Sequence, residues 1–208
     1  MIKKEIYPKT KRVSFSGELT EITEKIDGSN LCIFRLEDKL YFAQRSTIIC
    51  EDEIEEQKGV LYKGLYQWIK DNKDNLASLR NNAVVCGEWL GMGKLKYMVE
   101  QGFDKRFYMF AKANIHTDNF QLYNLHYYHD LFIYPFEDLT IPECIGIVPI
   151  AYSLPYVPKK EELDELYTEY TTKVNRNVEG FVVNYNDDIR KYVRMKNGTL
   201  SEHFDRGE

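Results

Sequence analysis

Glu24-Lys25-Ile26-Asp27-Gly28-Ser29-Asn30 is the stretch that decides how this chain is read. Apolar runs flank it. Leu19–Asp27 and Leu31–Leu36 read as two strands joined around Gly28-Ser29-Asn30, a tight-turn composition. The lysine therefore sits at a strand end, at the mouth of a sheet with a turn behind it. Taken alone, K-x-D-G is a common pattern, and a strand-end lysine is ordinary surface charge. Three later strand edges give it weight. Gly87-Glu88-Trp89 ends one strand, Glu179-Gly180-Phe181 begins another, and Arg194-Met195-Lys196 ends the last.

Working outward, Leu40–Arg45, Ala83–Trp89 and the aromatic run Arg106–Ala113 read as further strands, and Gly180–Tyr185 and Arg190–Met195 as a closing pair around Asn186-Asp187-Asp188. Val60, Leu61, Gly64, Leu65, Trp68 and Ile69 recur at helical spacing and predict one amphipathic helix ending in polar Asp71–Asn75. Lys159–Thr172 predicts a second, with Leu163 and Leu166 facing inward. Leu125–Phe136 fits either period. Ile141–Pro158 holds four prolines (Pro142, Pro149, Pro155, Pro158) and is extended or looped. Strands dominate without βαβ alternation, so the expected fold is α+β, with antiparallel β-sheets flanked by helices. The 208 residues suit a single domain over 1–208, the proline-rich stretch being the only candidate boundary.

Composition excludes several classes. Hydrophobic residues make up 43% and charged residues 29%, which is globular rather than disordered. No apolar stretch reaches membrane-spanning length, and the N-terminus lacks the apolar core of a secretion signal, so a soluble cytoplasmic protein is expected, in the host cytoplasm if viral. Cys32, Cys50, Cys86 and Cys144 have no C-x-x-C spacing and fall mostly in apolar runs, which predicts buried reduced thiols. The net charge of −5 does not announce a nucleic-acid binder, but base gathers locally in Lys3, Lys4, Lys9, Lys11 and Arg12, and again in Arg190, Lys191, Arg194 and Lys196.

A lysine, two carboxylates and a basic pair on strand edges are the parts a nucleotidyl-transfer site needs. In the order EKIDGSN, GEW, RFYMF, VEGFVV and VRMK, the chain resembles the covalent nucleotidyltransferase superfamily of ATP-dependent RNA and DNA ligases and GTP-dependent capping enzymes. The resemblance covers nearly the whole chain, roughly residues 5 to 198. The serine and asparagine after Gly28 look most like the RNA ligase 2-like branch, and the fold implied is that of a ligase adenylation domain.

What the resemblance implies can be carried over residue by residue. Lys25 would be the nucleophile that forms a lysine–AMP phosphoramidate. An ordinary lysine, with a pKa of ~10.4, is neutral only about once in a thousand near pH ~7.5. Nearby cations must therefore favour the free amine, and a metal must help neutralise the triphosphate. Arg194 and Lys196 would hold the α-phosphate as charge develops. Glu179 would act through a catalytic Mg²⁺ (or Mn²⁺), with Asp27 orienting metal-bound water. Glu88 would accept hydrogen bonds from the ribose hydroxyls, Phe110 would stack on the purine, and Arg45 would lie near the ribose and the nucleic-acid phosphates. Glu24, Ile26 and Asn30 complete the implied nucleotide-binding set.

Two departures matter. Arg194 stands where the family usually has lysine, which keeps the charge but changes the geometry. After Lys196 the chain runs only to Glu208, leaving no room for an OB-fold or a helical C-terminal domain, whose work a protein partner would supply or the chain would dispense with. The expected function is an ATP-dependent RNA ligase, or a minimal ligase core. It would adenylylate a 5′-phosphate RNA end, possibly at a nick in a duplex, and join it to a 3′-hydroxyl. A small ATP-dependent DNA ligase and a non-catalytic module that binds nucleic-acid ends are the alternatives.

Overall fold

Side chains along Leu31-Cys32-Ile33-Phe34 alternate between two different cores, which is why this run is apolar at every position rather than every second one. The computed structural model describes residues 11–12, 20–91, 93, 95–127, 141–176, 178–185, 188–193, 195–196 and 199–200. In chain order these form β1 (Lys11–Arg12), β2 (Thr20–Lys25), β3 (Ser29–Leu36), β4 (Lys39–Gln44), β5 (Thr47–Cys50), α1 (Leu65–Asp71), α2 (Lys73–Leu76), β6 (Ala83–Trp89), α3 (Leu95–Gln101), β7 (Phe107–Ile115) and β8 (Leu122–Tyr127). There follow β9 (Ile145–Ile147), β10 (Ile150–Leu154), α4 (Lys160–Val174), β11 (Gly180–Tyr185), β12 (Asp188–Val193), β13 (Met195–Lys196) and β14 (Thr199–Leu200). Pairing is antiparallel except for β1 with β12 and β7 with β9, so the α+β expectation holds. Among the described residues no helix is long and apolar enough to cross a membrane.

The described residues gather into two compact units, the first within Gly28–Ile147 and the second within Lys9–Asp27 and Val148–Glu208. In the first, strands run in the order β5-β4-β3-β6-β7-β8, with β9 beside β7. One face of this sheet, carrying Leu31, Ile33, Phe42, Val85 and Trp89, packs on Leu65, Ile69, Leu76 and Leu79 of the helical segment. The other face carries Cys32, Phe34, Val84, Cys86 and Ala111, with Tyr41 and Phe120 against it. Helix α1 starts later than the spacing of Val60 and Leu61 predicts. Gly64 has a left-handed φ of 84°, which places it outside the helix and lets the chain turn into Leu65.

Cys32 and Cys86 are directly opposed in the β3–β6 register and are joined by a disulfide. This corrects the expectation of reduced thiols at these two positions. Cross-strand register, invisible in a sequence separation of 54, brings their Cα atoms to 4.2 Å. Cys50 and Cys144 are free and half-buried.

In the second unit the order is β1-β12-β11-β2-β10, with α4 on one face. Leu163, Leu166, Tyr167, Tyr170 and Val174 form the inward stripe of α4 and meet Ile22, Phe181 and Val183. The Lys159 N–H donates to the Glu162 carboxylate (2.7 Å) at the start of the helix, and Asn175, at a φ of 52°, ends it. Strands β2 and β3 do not pair with each other. The turn-like residues around Gly28 join strands of different sheets, and Ser29 and Asn30 already belong to β3. The stretch Ile141–Pro158 is extended, as its prolines require. Of the ambiguous Leu125–Phe136 segment, the part up to Tyr127 is strand and the rest lies outside the described residues.

Candidate functional site

In the second unit, Lys25 ends β2 directly opposite Gly180, the first residue of β11. A side chain at Gly180 would collide with the Tyr192 carbonyl oxygen, so this register leaves room only for glycine there. Glu179 immediately precedes it. The Lys25 Nζ lies 2.7 Å from Glu179 Oε1, and the two side chains are 22% and 1% exposed. An amine open to solvent on one side thus faces a fully buried carboxylate. Asp27 and Ile26 are buried in the segment that follows.

Strand alternation turns Glu24 to the opposite face from Lys25. Its carboxylate is wholly buried and carries a guanidinium fork from Arg176, with Nη1 to Oε1 and Nη2 to Oε2 both at 2.5 Å. Tyr170 Oη donates to Oε2 at 3.1 Å. Burial first, and the Glu24 charge second, push the Tyr170 phenol above its ordinary value, which keeps it a proton donor. The left-handed Asn175 swings the chain off α4 and delivers Arg176 to this position. Glu24 is therefore anchored within the unit, next to the lysine it precedes.

In the first unit, Asn30 of β3 and Glu88 of β6 are register partners, and both are half-buried. Gly28 makes this arrangement possible: a Cβ there would lie 3.0 Å from Glu88 Oε2 and 3.0 Å from the Trp89 carbonyl oxygen. Arg45 and Ser46 form the two-residue turn from β4 to β5, and Arg45 is exposed with a φ of 22°, a conformation that favours glycine. Positive φ is what a two-residue hairpin turn asks of its residues, and Glu37 and Asp38 in the β3–β4 turn share it. Phe110 is the extra residue of a β-bulge, since Cys86 pairs with Ala111 and Gly87 with Met109. The bulge reverses the facing of β7, so that Met109 enters one core and Ala111 the other, and half-buried Phe110 packs against the second.

Two residues link this set that the sequence reading did not single out. Buried Gln44 accepts from the Tyr62 N–H (2.5 Å) and donates to the Val60 carbonyl (2.9 Å). Tyr62 Oη in turn donates to the Asn30 carbonyl at 3.1 Å. The second unit likewise has Arg176 and Tyr170. No spacing rule signals any of the four, because each meets its partner across a long stretch of chain.

Of the basic positions, Arg194 lies outside the described residues, and for Lys196 only the backbone, opposite Thr199 in the β13–β14 pair, is described. The parallel β1–β12 pairing sets Lys11 beside Arg190 and Arg12 beside Lys191. Asp188 engages the Arg190 guanidinium at 2.6 Å. Among the described residues no group of three His, Cys, Asp or Glu could hold a metal ion. Glu179, against Lys25, and Asp27, two residues after it in the chain, are both buried carboxylates, the ligand type that an ion such as Mg²⁺ or Mn²⁺ takes singly or in pairs with water and phosphate oxygens.

The RNA ligase family model matches residues 18–197, a span that contains every one of these residues from Glu24 to Lys196. The chain belongs to the RNA ligase family. Comparison with the curated proteins finds no match. Among solved structures it is similar to Naegleria gruberi RNA ligase, a mutant with AMP and Mn, at 18% identity and a TM-score of 0.54, over 92% of this chain and 60% of that one. A second mutant of that ligase, with ATP and Mn, matches at 20% identity and a TM-score of 0.51, over 85% of this chain and 49% of that one. At such identities the likeness is one of fold. This RNA ligase family chain spans less than two thirds of either Naegleria chain.

Proposed function

We propose that the chain is an ATP-dependent RNA ligase, or the core of one, working through a lysine–AMP intermediate on Lys25. The observation that carries this reading is the 2.7 Å pair of Lys25 with buried Glu179, both within the span the family model matches and both in the motifs that carry the resemblance. In the first step the Lys25 amine attacks the α-phosphorus of ATP. The N–P bond forms as the bond to the β-phosphate bridging oxygen breaks, and pyrophosphate leaves. The amine must first surrender a proton, which the ion pair with Glu179 opposes; engagement of that carboxylate by a metal ion, with Arg194 and Lys196 nearby, would release the lysine and favour its free amine. Glu179 and Asp27 would hold Mg²⁺ or Mn²⁺, which supplies neutralisation of the triphosphate charge.

The Glu24–Arg176 pair fixes the end of β2, so the Lys25 backbone does not shift as its side chain exchanges partners. Glu88 and Asn30 would take the ribose, with Arg45 beside it. Phe110 would offer its ring to the purine, and Arg194 and Lys196 would hold the α-phosphate. The AMP then passes to a 5′-phosphate RNA end, and a 3′-hydroxyl displaces it. The parallel register sets Lys11 beside Arg190 and Arg12 beside Lys191, and this local gathering of basic residues supports a phosphate backbone as the partner of this edge.

The test is intact-protein mass after incubation with ATP and Mg²⁺, beside GTP and beside Lys25→Ala, with pyrophosphate treatment of the protein as purified. An AMP adduct with ATP that is absent from Lys25→Ala is the expected result. No adduct, and none released by pyrophosphate, overturns the reading. Nicked duplexes of RNA, hybrid and DNA then decide the acceptor, and sealing of DNA alone would overturn the RNA assignment.

A further inference from the structure

The β3–β4 ladder stops at the pair Leu31 and Gln44, so the carbonyl of Asn30 lies one position beyond the last paired residue. What takes this carbonyl is a side chain from outside the sheet, the hydroxyl of Tyr62. Asn30 is also the register partner of Glu88, so that one hydrogen bond braces the β3 side of the Asn30–Glu88 pair. Tyr62 is itself held at its backbone by Gln44, the residue that precedes Arg45. A single half-buried phenol therefore links Asn30, Glu88 and Arg45, three of the positions at which the family resemblance puts the nucleoside. Its titration reports the same surroundings: burial raises it most, the Glu88 charge raises it further, and the Arg45 charge opposes both. A phenol that senses both charges sits in the electrostatic field of the Glu88 and Arg45 side chains.

We propose that Tyr62 is a positioning residue of the nucleotide site, fixing the Asn30–Glu88 pair through its hydroxyl and thereby setting the recognition of the ribose. This rests on the reading of Glu88 as the ribose carboxylate. The hydrogen bond fixes binding geometry and takes no part in the exchange of bonds at phosphorus, so its loss falls on nucleotide affinity. Tyr62→Phe keeps the ring and removes only the hydroxyl.

The experiment is self-adenylylation of the full chain at varied ATP and varied 2′-deoxy-ATP and 3′-deoxy-ATP, for wild type, Tyr62→Phe, Glu88→Gln and the double variant. Removing a neutral hydrogen bond that organises a site costs about 0.5–1.5 kcal/mol, a factor of roughly 2 to 12. Tyr62→Phe is therefore expected to raise KM for ATP about 2- to 12-fold, with a far smaller change in the rate at saturation. The preference for ATP over the deoxy analogues should narrow, and the effects of Tyr62→Phe and Glu88→Gln on KM should be less than additive. Gln44→Ala, which releases the backbone clamp and spares the phenol, should reproduce the KM change. An unchanged KM and an unchanged ribose preference in Tyr62→Phe, or strict additivity with Glu88→Gln, overturns the inference while leaving the ligase reading intact. Failure of the wild type to form an adduct, with no AMP released by pyrophosphate from the protein as purified, overturns both.

Discussion

Replacing Arg176 by alanine is the sharpest test of how the lysine strand is held. The guanidinium is 13% exposed, and the Glu24 carboxylate it grips is 0% exposed. Two charge-assisted hydrogen bonds vanish, at about 1.5–3 kcal/mol each. Glu24 is left buried with the Tyr170 hydroxyl as its remaining named donor. Breaking one side of a buried ion pair costs about 3–5 kcal/mol, in line with that range. For a chain of 208 residues, about 2–4 °C of Tm goes with each kcal/mol, which gives a fall of roughly 6–20 °C. Thermal unfolding followed by circular dichroism measures it. Arg176→Lys keeps the charge without the fork and should fall in between. Glu24→Gln in the Arg176→Ala background removes the stranded charge and should recover part of the loss. A fall below about 2 °C, or a double variant that is simply additive, would refute the view that this pair anchors β2.

Two further outcomes follow from local chemistry. Asp164 is held below its ordinary value of 3.8, chiefly by the hydrogen bond from Tyr192 and then by Lys160. A depressed carboxylate contributes stability that is present above the ordinary value and is lost as pH falls through its folded value. The Tm difference between wild type and Asp164→Asn should therefore be visible near neutrality and shrink below about pH 3.8. A difference that grows on acidification contradicts this. Alkylation in denaturant should label Cys50 and Cys144 before reduction and all four cysteines after it. In the native protein Cys144 should react slowly and faster at alkaline pH, because burial pushes its thiol up to about 11. Four labelled cysteines without reductant would exclude the disulfide.

Much of the fold was legible in the sequence because pattern and burial agree. Ala83–Trp89 and Gly180–Tyr185 are strands with the bounds their apolar runs suggest. The helix at Lys160–Val174 follows its leucines and tyrosines. Two features were hidden. The residues around Gly28 have turn composition, yet the chain there passes from one sheet to another, since composition records local flexibility and not the strand's eventual partner. The bulge at Phe110 shifts facing by one position and leaves no mark on the aromatic run. Of the candidate site, Lys25 and Glu179, which the structure brings to 2.7 Å, and Asn30 and Glu88, which pair in register, could be named from order along the chain. Their supports could not, because Tyr62, Gln44, Tyr170 and Arg176 act through single contacts made in three dimensions.

The discontinuous second unit also dictates an order of assembly during synthesis. Lys25 leaves the ribosome 154 residues before the Glu179 with which it pairs. At about 5–20 residues per second that is roughly 8–30 s. All strands of the first unit's sheet are translated in that interval, and they pair among themselves. Strand β2, by contrast, must wait with both edges open for β10 and β11, and an open apolar strand is a template for wrong pairing. Two glutamates and a lysine among its six residues, Thr20-Glu21-Ile22-Thr23-Glu24-Lys25, keep it charged through the delay. The charged residues of β2, Lys25 with its ion pair to Glu179 among them, thus also act as gatekeepers on the nascent chain.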